Sequence, residues 1–307
     1  MAYQTTIRDQ VMCAGIGVHS ARSATLRLKP APAEFGIAFV RTDLDASAEP
    51  ILATARSVTD TMLGTTIGNV RGDTVATIEH LMAAFRGVGL DNVLVEIDGP
   101  EVPIMDGSAT VFCELIEAVG LREQSALRRS IRITSRIDVE MGEKSACLLP
   151  NDADGLSLKA CIDFPSEAIG VQTAEYCLET GVFSDDLGFA RTFGFSRDVE
   201  MLRARGLARG GSLDNAIVID GDRVMNPDGL RCSDEFVRHK LLDAIGDLAL
   251  AGAPIIGRYE AYQPGHALNQ TLVRKLLETP SAWCWDQVSS ADIAVPATQD
   301  REISLGA

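Results

Sequence analysis

Apolar and polar residues alternate through "TTIRDQVMCAGIGV", "SATLRLKPA" and "FGIAFVRTDL", a period-two pattern that predicts half-buried strands. The period then lengthens. In "TIEHLMAAFRGVG" apolar residues recur at helical spacing, with Thr77 placed as the N-cap and Gly87 and Gly89 as the stop. The strand "NVLVEIDG", the turn-rich "GPEVPIMDGSA" and a second helix around "ATVFCELIEAVGL" follow. The polar "REQSALRRS" reads as a junction near 122–130, dividing the chain into an N-terminal domain, 1–126, and a C-terminal domain, 127–307.

Past the junction the theme repeats. Strands "SIRITSRIDVEM", "SACLLP" and "LSLKACIDF" lead into an irregular middle, then the helix "FVRHKLLDAIGDLAL", the strand-like "APIIGRYEAYQPGHAL" and the helix "ALNQTLVRKLLETP". The segments "IEHLMAAFRGVGLDNVLVEIDG" and "VRHKLLDAIGDLALAGAPIIGRYEA" share a His at a helix start, an apolar helix, a Gly and a β-branched strand. That shared order is the mark of an internal duplication, so the expected fold class is α+β, with two layered sheet-and-helix domains of similar topology.

One helix breaks its own pattern. With His239 set at zero and about 100° per residue, Asp243 falls near 40°, Asp247 near 80° and Lys240 near 100°. Leu241, Leu242, Ala244, Ile245, Leu248 and Ala249 fill the arc from about 140° to 300°. Taken alone, such a polar stripe is more commonly a solvated face than a site. Three features favour a site. The chain has only four histidines, and two of the others, His80 and His266, also sit where polar and apolar residues mix. His239 and Asp243, at i and i+4, present two ligands from one helical turn. Glu79 stands directly beside His80 in "IEHLMAAF".

Composition narrows the alternatives. With 46% apolar and 23% charged residues the chain is globular, and its formal charge of −15 repels a phosphate backbone, so nucleic acid is excluded as a partner. An anionic small molecule would need a local basic pocket, for which Lys240, Arg191, Arg238 and the arginines of "LRARGLARGG" are candidates. The seven cysteines are scattered and never spaced C-x-x-C, which suits reduced core thiols. No long uncharged apolar run and no basic leader followed by an apolar stretch is present, so the expectation is a cytoplasmic protein without a membrane-spanning segment, monomeric by default.

His80, His239 and Asp243 would form a His₂Asp set, the open three-ligand arrangement in which zinc keeps a water at about pKa 7. Glu79 is then placed as general base, and His266 as the acid that protonates a leaving group, with Asp247 holding its imidazolium. Fe(II) suits the same donors, so the metal in the cell is left open. None of the motifs H-E-x-x-H, G-x-x-x-x-G-K-[ST], G-x-S-x-G or a post-strand G-x-G-x-x-G occurs. From spacing alone the reading stops at a metal hydrolase.

The blocks "TIEHLMAAF", "PIMDGSA", "ARTFGF", "GLRCSDEFVRHKLLDAIGDL" and "GHALN", in this order, closely resemble the UDP-3-O-acyl-N-acetylglucosamine deacetylases, zinc amidases of lipid A synthesis. The resemblance runs from the N-terminus to about residue 275. It implies two α+β domains packed face to face, each with a small insertion, and hydrolysis of the acetamide of UDP-3-O-(3-hydroxyacyl)-N-acetylglucosamine. Carried over residue by residue, it implies His80, His239 and Asp243 as zinc ligands, Glu79 as base, His266 as acid and Asp247 as the residue orienting it. Thr192 is implied to support the oxyanion, Lys240 to meet the diphosphate, Phe193 and Phe195 with 193–220 to build an acyl-chain passage, and Phe164 to stack on uracil. The bland alternatives are core aromatics for Phe193 and Phe195, a snorkelling surface Lys240, a structural His19 and a turn-closing Asp106.

Two departures stand out. Gly64 in "DTMLGTT" replaces a Cys that many members carry, and Gln263 stands where some place a basic residue, which shifts diphosphate binding toward Lys240. The competing functional readings are a metal-free nucleotide-sugar binding protein and a zinc amidase for another acylated sugar.

Overall fold

The computed structural model describes residues 2–45, 49–152, 154–178 and 182–286; the end of the expected C-terminal domain, 287–307, lies outside the described residues. The described α-helices are α1 (Glu79–Val88), α2 (Thr110–Val119), α3 (Ser196–Ala204), α4 (Glu235–Leu248) and α5 (His266–Glu278).

Two mixed sheets carry the architecture. The first has five strands in the order Val11–Ile16, Ser23–Pro30, Val93–Ile97, Ile37–Arg41, Ile51–Leu52. Val93–Ile97, the strand after α1, runs antiparallel to Ser23–Pro30 and parallel to Ile37–Arg41. In the second sheet Ile255–Tyr262, the strand after α4, runs antiparallel to Lys144–Leu149 and parallel to Leu156–Asp163. Ile137–Met141 flanks Lys144–Leu149 just as Val11–Ile16 flanks Ser23–Pro30. The order and sense of four strands thus repeat, in the two segments whose sequences share a pattern. The fold is α+β, and each sheet is accompanied by a small three-stranded one, Val58–Asp60 with Thr66–Gly68 and Thr74–Val75, and Phe193–Phe195 with Ile217–Asp220 and Arg223–Val224.

The helices α1 and α4 pack on each other at the centre. Every residue of α1 except Arg86 is buried, and α4 is buried except at Arg238 and Lys240, the pattern of helices enclosed on all sides. A close approach is possible because α4 carries Gly246 at the crossing: a Cβ there would collide with the backbone carbonyl of Glu79. The polar stripe of α4 is therefore no solvated face; His239, Asp243 and Asp247 are each at most 2% exposed.

One local expectation fails. Thr77 is not an N-cap: its φ is 57°, Ile78 precedes the helix, and the Thr77 hydroxyl donates to Glu101 Oε1 at 3.1 Å. The burial of Glu101, which also accepts the backbone N–H groups of His19 and Ser20, commits that hydroxyl away from the helix. The polar stretch at 122–130, read as the junction, is largely a strand. Leu121–Leu127 is a strand paired with Tyr3–Ile7 in a two-stranded ribbon, whose outward face accounts for its polarity. The irregular middle also contains structure, the strand Val171–Leu178 paired along its whole length with Leu156–Asp163.

Candidate metal centre and active site

The start of α1 supplies Glu79 and His80, and α4 supplies His239, Asp243 and Asp247 from successive turns of one side. The crossing at Gly246 brings them together. One ligand atom from each of His80, His239 and Asp243 lies within 4.8 Å of the others. Asp243 Oδ1 is 3.6 Å from His80 Nε2 and 3.4 Å from His239 Nε2, and the two imidazoles meet edge to face at 5.0 Å.

The donor set fits a metal on three counts. His239 Nδ1 faces the carbonyl of Ala190 at 3.0 Å; that oxygen only accepts, so Nδ1 carries the proton and the Nε2 lone pair points into the cluster. Asp243 Oδ2 accepts from Lys240 Nζ at 2.7 Å, whereas the buried Oδ1 has no hydrogen-bond partner, a costly state that a cation would relieve. Two imidazoles and a carboxylate are the donors that zinc takes. Burial pushes His239 down to about 3 against the pull of Asp243, which keeps it neutral and ligand-ready. Burial opposes the Asp243 charge, yet the charged Lys240 and His266 beside it help outweigh that and hold this carboxylate well below its ordinary range.

Two further ionisable side chains, Glu79 and His266, flank the cluster. Glu79 Oε2 accepts the backbone N–H of Thr65 at 2.8 Å, and burial raises its pKa while His266 and His80 pull the other way. His266, at the start of α5, sets Nδ1 3.0 Å from Asp247 Oδ2 and turns Nε2 inward, 3.9 Å from Glu79 Oε1 and 4.0 Å from Asp243 Oδ2. Burial would lower His266, but Asp247 and Glu79 more than reverse this and lift it to about 10, so the ring is protonated at neutral pH. Asp247 Oδ1 accepts the Thr65 hydroxyl at 2.6 Å, and Oδ2 accepts Asn269 Nδ2 at 2.9 Å. Tyr259 completes the chain by donating to Asn269 Oδ1 at 2.7 Å.

The remaining candidates fall into groups. Phe193 lies beside the cluster, 6.2 Å from the His239 ring, with Lys240 Nζ 5.3 Å from its centroid. Phe164 meets Phe193 at 5.6 Å and Phe195 at 6.0 Å, so the three aromatics form one patch. Lys240 spends its ammonium on Asp243. Thr192 is fixed through its backbone, its N–H donating to Gly107 and its carbonyl accepting from Ile217. Its neighbour Arg191 forms a buried ion pair with Glu235 at 2.8 Å, which ties the 190–192 segment to the first turn of α4. His19 accepts Ala208 N–H at Nδ1 and reaches Leu63 O from Nε2, linking two loops. Asp106 closes a turn by accepting from Ser108 and also pairs with Arg231 at 2.9 Å. Gln263 is bound to the Asp163 carbonyl. Gly64 lies against the Glu79 carboxylate: a Cβ there would stand 2.9 Å from Glu79 Oε1.

Sequence reasoning singled out neither Thr65, Asn269, Tyr259 nor the Arg191–Glu235 pair. Thr65 and Asn269 sit inside blocks noted for other residues, and only their burial at 0% exposed marks them.

Comparison with known proteins completes the picture. Residues 4–278 match the model of the family described as UDP-3-O-acyl N-acetylglycosamine deacetylase. Among curated relatives, the UDP-3-O-acyl-N-acetylglucosamine deacetylase of Phenylobacterium zucineum is 50% identical over 281 residues, covering 92% of this chain and 95% of the relative. Those of Shewanella piezotolerans (48%, covering 92% of each chain) and Myxococcus xanthus (50%, covering 91% and 88%) are similar. With a family match across nearly its whole length, this chain belongs to the UDP-3-O-acyl N-acetylglycosamine deacetylases.

Proposed function

We propose that this chain is a zinc-dependent amidase that removes the N-acetyl group of UDP-3-O-(3-hydroxyacyl)-N-acetylglucosamine, releasing acetate and the free amine for lipid A synthesis. The observation that carries the reading is the buried His80, His239 and Asp243 cluster with its unpartnered Asp243 Oδ1, set between Glu79 and a protonated His266. Support for the substrate comes from the names of the relatives.

A bound zinc supplies Lewis acidity, which acidifies water and polarises a carbonyl. The chain's own residues do the rest. Glu79, desolvated and raised in pKa, takes the proton of the attacking water, as a stronger base than an ordinary carboxylate. His266 gives its Nε2 proton to the departing amine nitrogen, and Asp247 stabilises its charge while Thr65 and Asn269 fix Asp247. Thr192 is assigned to the oxyanion and Lys240 to the diphosphate. The Phe164, Phe193 and Phe195 patch is assigned to the apolar and aromatic parts of the substrate. The division at 126/127 belongs to the same reading, supported by the repeated strand order. A cytoplasmic monomer is the working form; among the described residues no helix is long and apolar enough to cross a membrane.

The decisive experiment is chelator-reversible deacetylation of this UDP-sugar by the wild type and by Glu79→Gln. The variant is expected to keep about one zinc per chain and to lose at least about a hundredfold in kcat. A near-normal rate would remove Glu79 as the base, and a metal-free, chelator-insensitive protein that still binds the UDP-sugar would favour a binding module.

A further inference from the structure

A cavity of about 310 Å³ lies at the C-terminal ends of α1 and α4, opposite the ends that carry Glu79 and His239. Its lining comes from both halves of the chain and includes three arginines, Arg86, Arg128 and Arg129, in a protein of net charge −15. Arg128 is committed, to Asp91 at 2.7 Å and to the Gly89 carbonyl at 2.6 Å. Arg129 has its guanidinium 4.5 Å over the Trp285 ring. The side chain of Arg86, the one residue of α1 not fully buried, makes no hydrogen bond or ion pair among the described residues.

A mostly enclosed guanidinium without a partner is expensive. Burial pulls Arg86 down to about 10 against the influence of Asp91, and Arg128 adds to the fall. The end of α1 does not explain its placement by hydrogen bonding. The Phe85 and Arg86 carbonyls accept from Leu90 and Gly89, and that of Gly89 accepts from Thr5 and Arg128. Two uncommitted guanidiniums match a dianion, and the cavity is large enough for a small molecule. The one remaining acid, Glu34, is exposed at the rim.

We propose that this cavity binds a small organic phosphate, the phosphate held by Arg86 and Arg129 and the apolar body against Phe35, Met82, Leu90 and Trp285.

The chain's two tryptophans, Trp283 and Trp285, stand 5.2 Å apart, so intrinsic fluorescence reports this cavity. Titration of the full-length protein with phenyl phosphate is expected to give a saturable change in the wild type and an unaltered one in Lys240→Ala, which alters the other anion-binding candidate. Arg86→Leu is expected to weaken binding about tenfold or more, and uncharged phenol to give no saturable change. Arg86→Gln, which keeps the aliphatic stem, carries the same expectation should Arg86→Leu fail to fold. No saturation up to about 10 mM, or equal affinity in the folded Arg86 variants, would overturn the proposal.

Discussion

Thr65 uses two donors on two carboxylates: its backbone N–H serves Glu79 and its hydroxyl serves Asp247. Thr65→Val keeps the shape and the N–H but strands an Asp247 oxygen, so kcat is expected to fall about tenfold or more while zinc content stays unchanged, and Thr65→Ser should restore most of it. Steady-state kinetics with metal analysis separates this from a folding defect. His266 offers a test through pH. Its folded-state value of about 10 lies above the unfolded value of about 6.5, so the pairing with Asp247 stabilises the metal-free fold fully below pH 6.5. That benefit is lost as pH rises through about 10, and Asp247→Asn should flatten this part of the stability profile. Urea unfolding of the metal-free protein at several pH values measures it; an unchanged profile would contradict the coupling. At this scale His80, His239, Asp243, Glu79 and His266 were legible as residue types with suggestive spacing. Thr65, Asn269 and Tyr259 were not, because a buried hydroxyl or amide has no periodicity that distinguishes it from a surface one.

Helix α4 shows what an element's own pattern leaves open. Its leucines correctly predicted a helix, but its polar residues matched the pattern of a solvated face, and only the packing of α1 against that side turned them inward. Gly246 is the residue that permits it. Gly246→Ala would push α4 off the Glu79 backbone, with an expected loss of about 1–3 kcal/mol and weaker zinc retention, since the two helices share the ligand set. Denaturant unfolding and competition with a chelator test the two halves of that expectation separately. The buried Arg191–Glu235 pair is the complementary device: Glu235 accepts from the Arg191 side chain and from the Arg191 and Arg231 backbones, so the segment leading to Thr192 cannot drift from the turn that precedes His239.

Across the whole molecule, the two sheets repeat one strand order and bring one helix each to a shared centre, where neither half alone holds the whole His80, His239 and Asp243 cluster. Zinc binding should therefore stabilise the fold as a unit. Addition of zinc to stripped protein is expected to raise Tm, by about 2.7 kcal/mol of stability at a hundredfold excess over Kd, and chelator should reverse it, with His239→Ala showing little response. Differential scanning calorimetry reads all three. The sequence by itself determined the elements and their repetition, because helical and strand periods are local, and it determined the chemistry available, because His, Asp and Glu are rare inside apolar helices. The tertiary structure alone decided which residues meet. His80 and Asp243 are far apart along the chain yet 3.6 Å apart in space, and that distance depends on a glycine at a helix crossing, which no local period encodes.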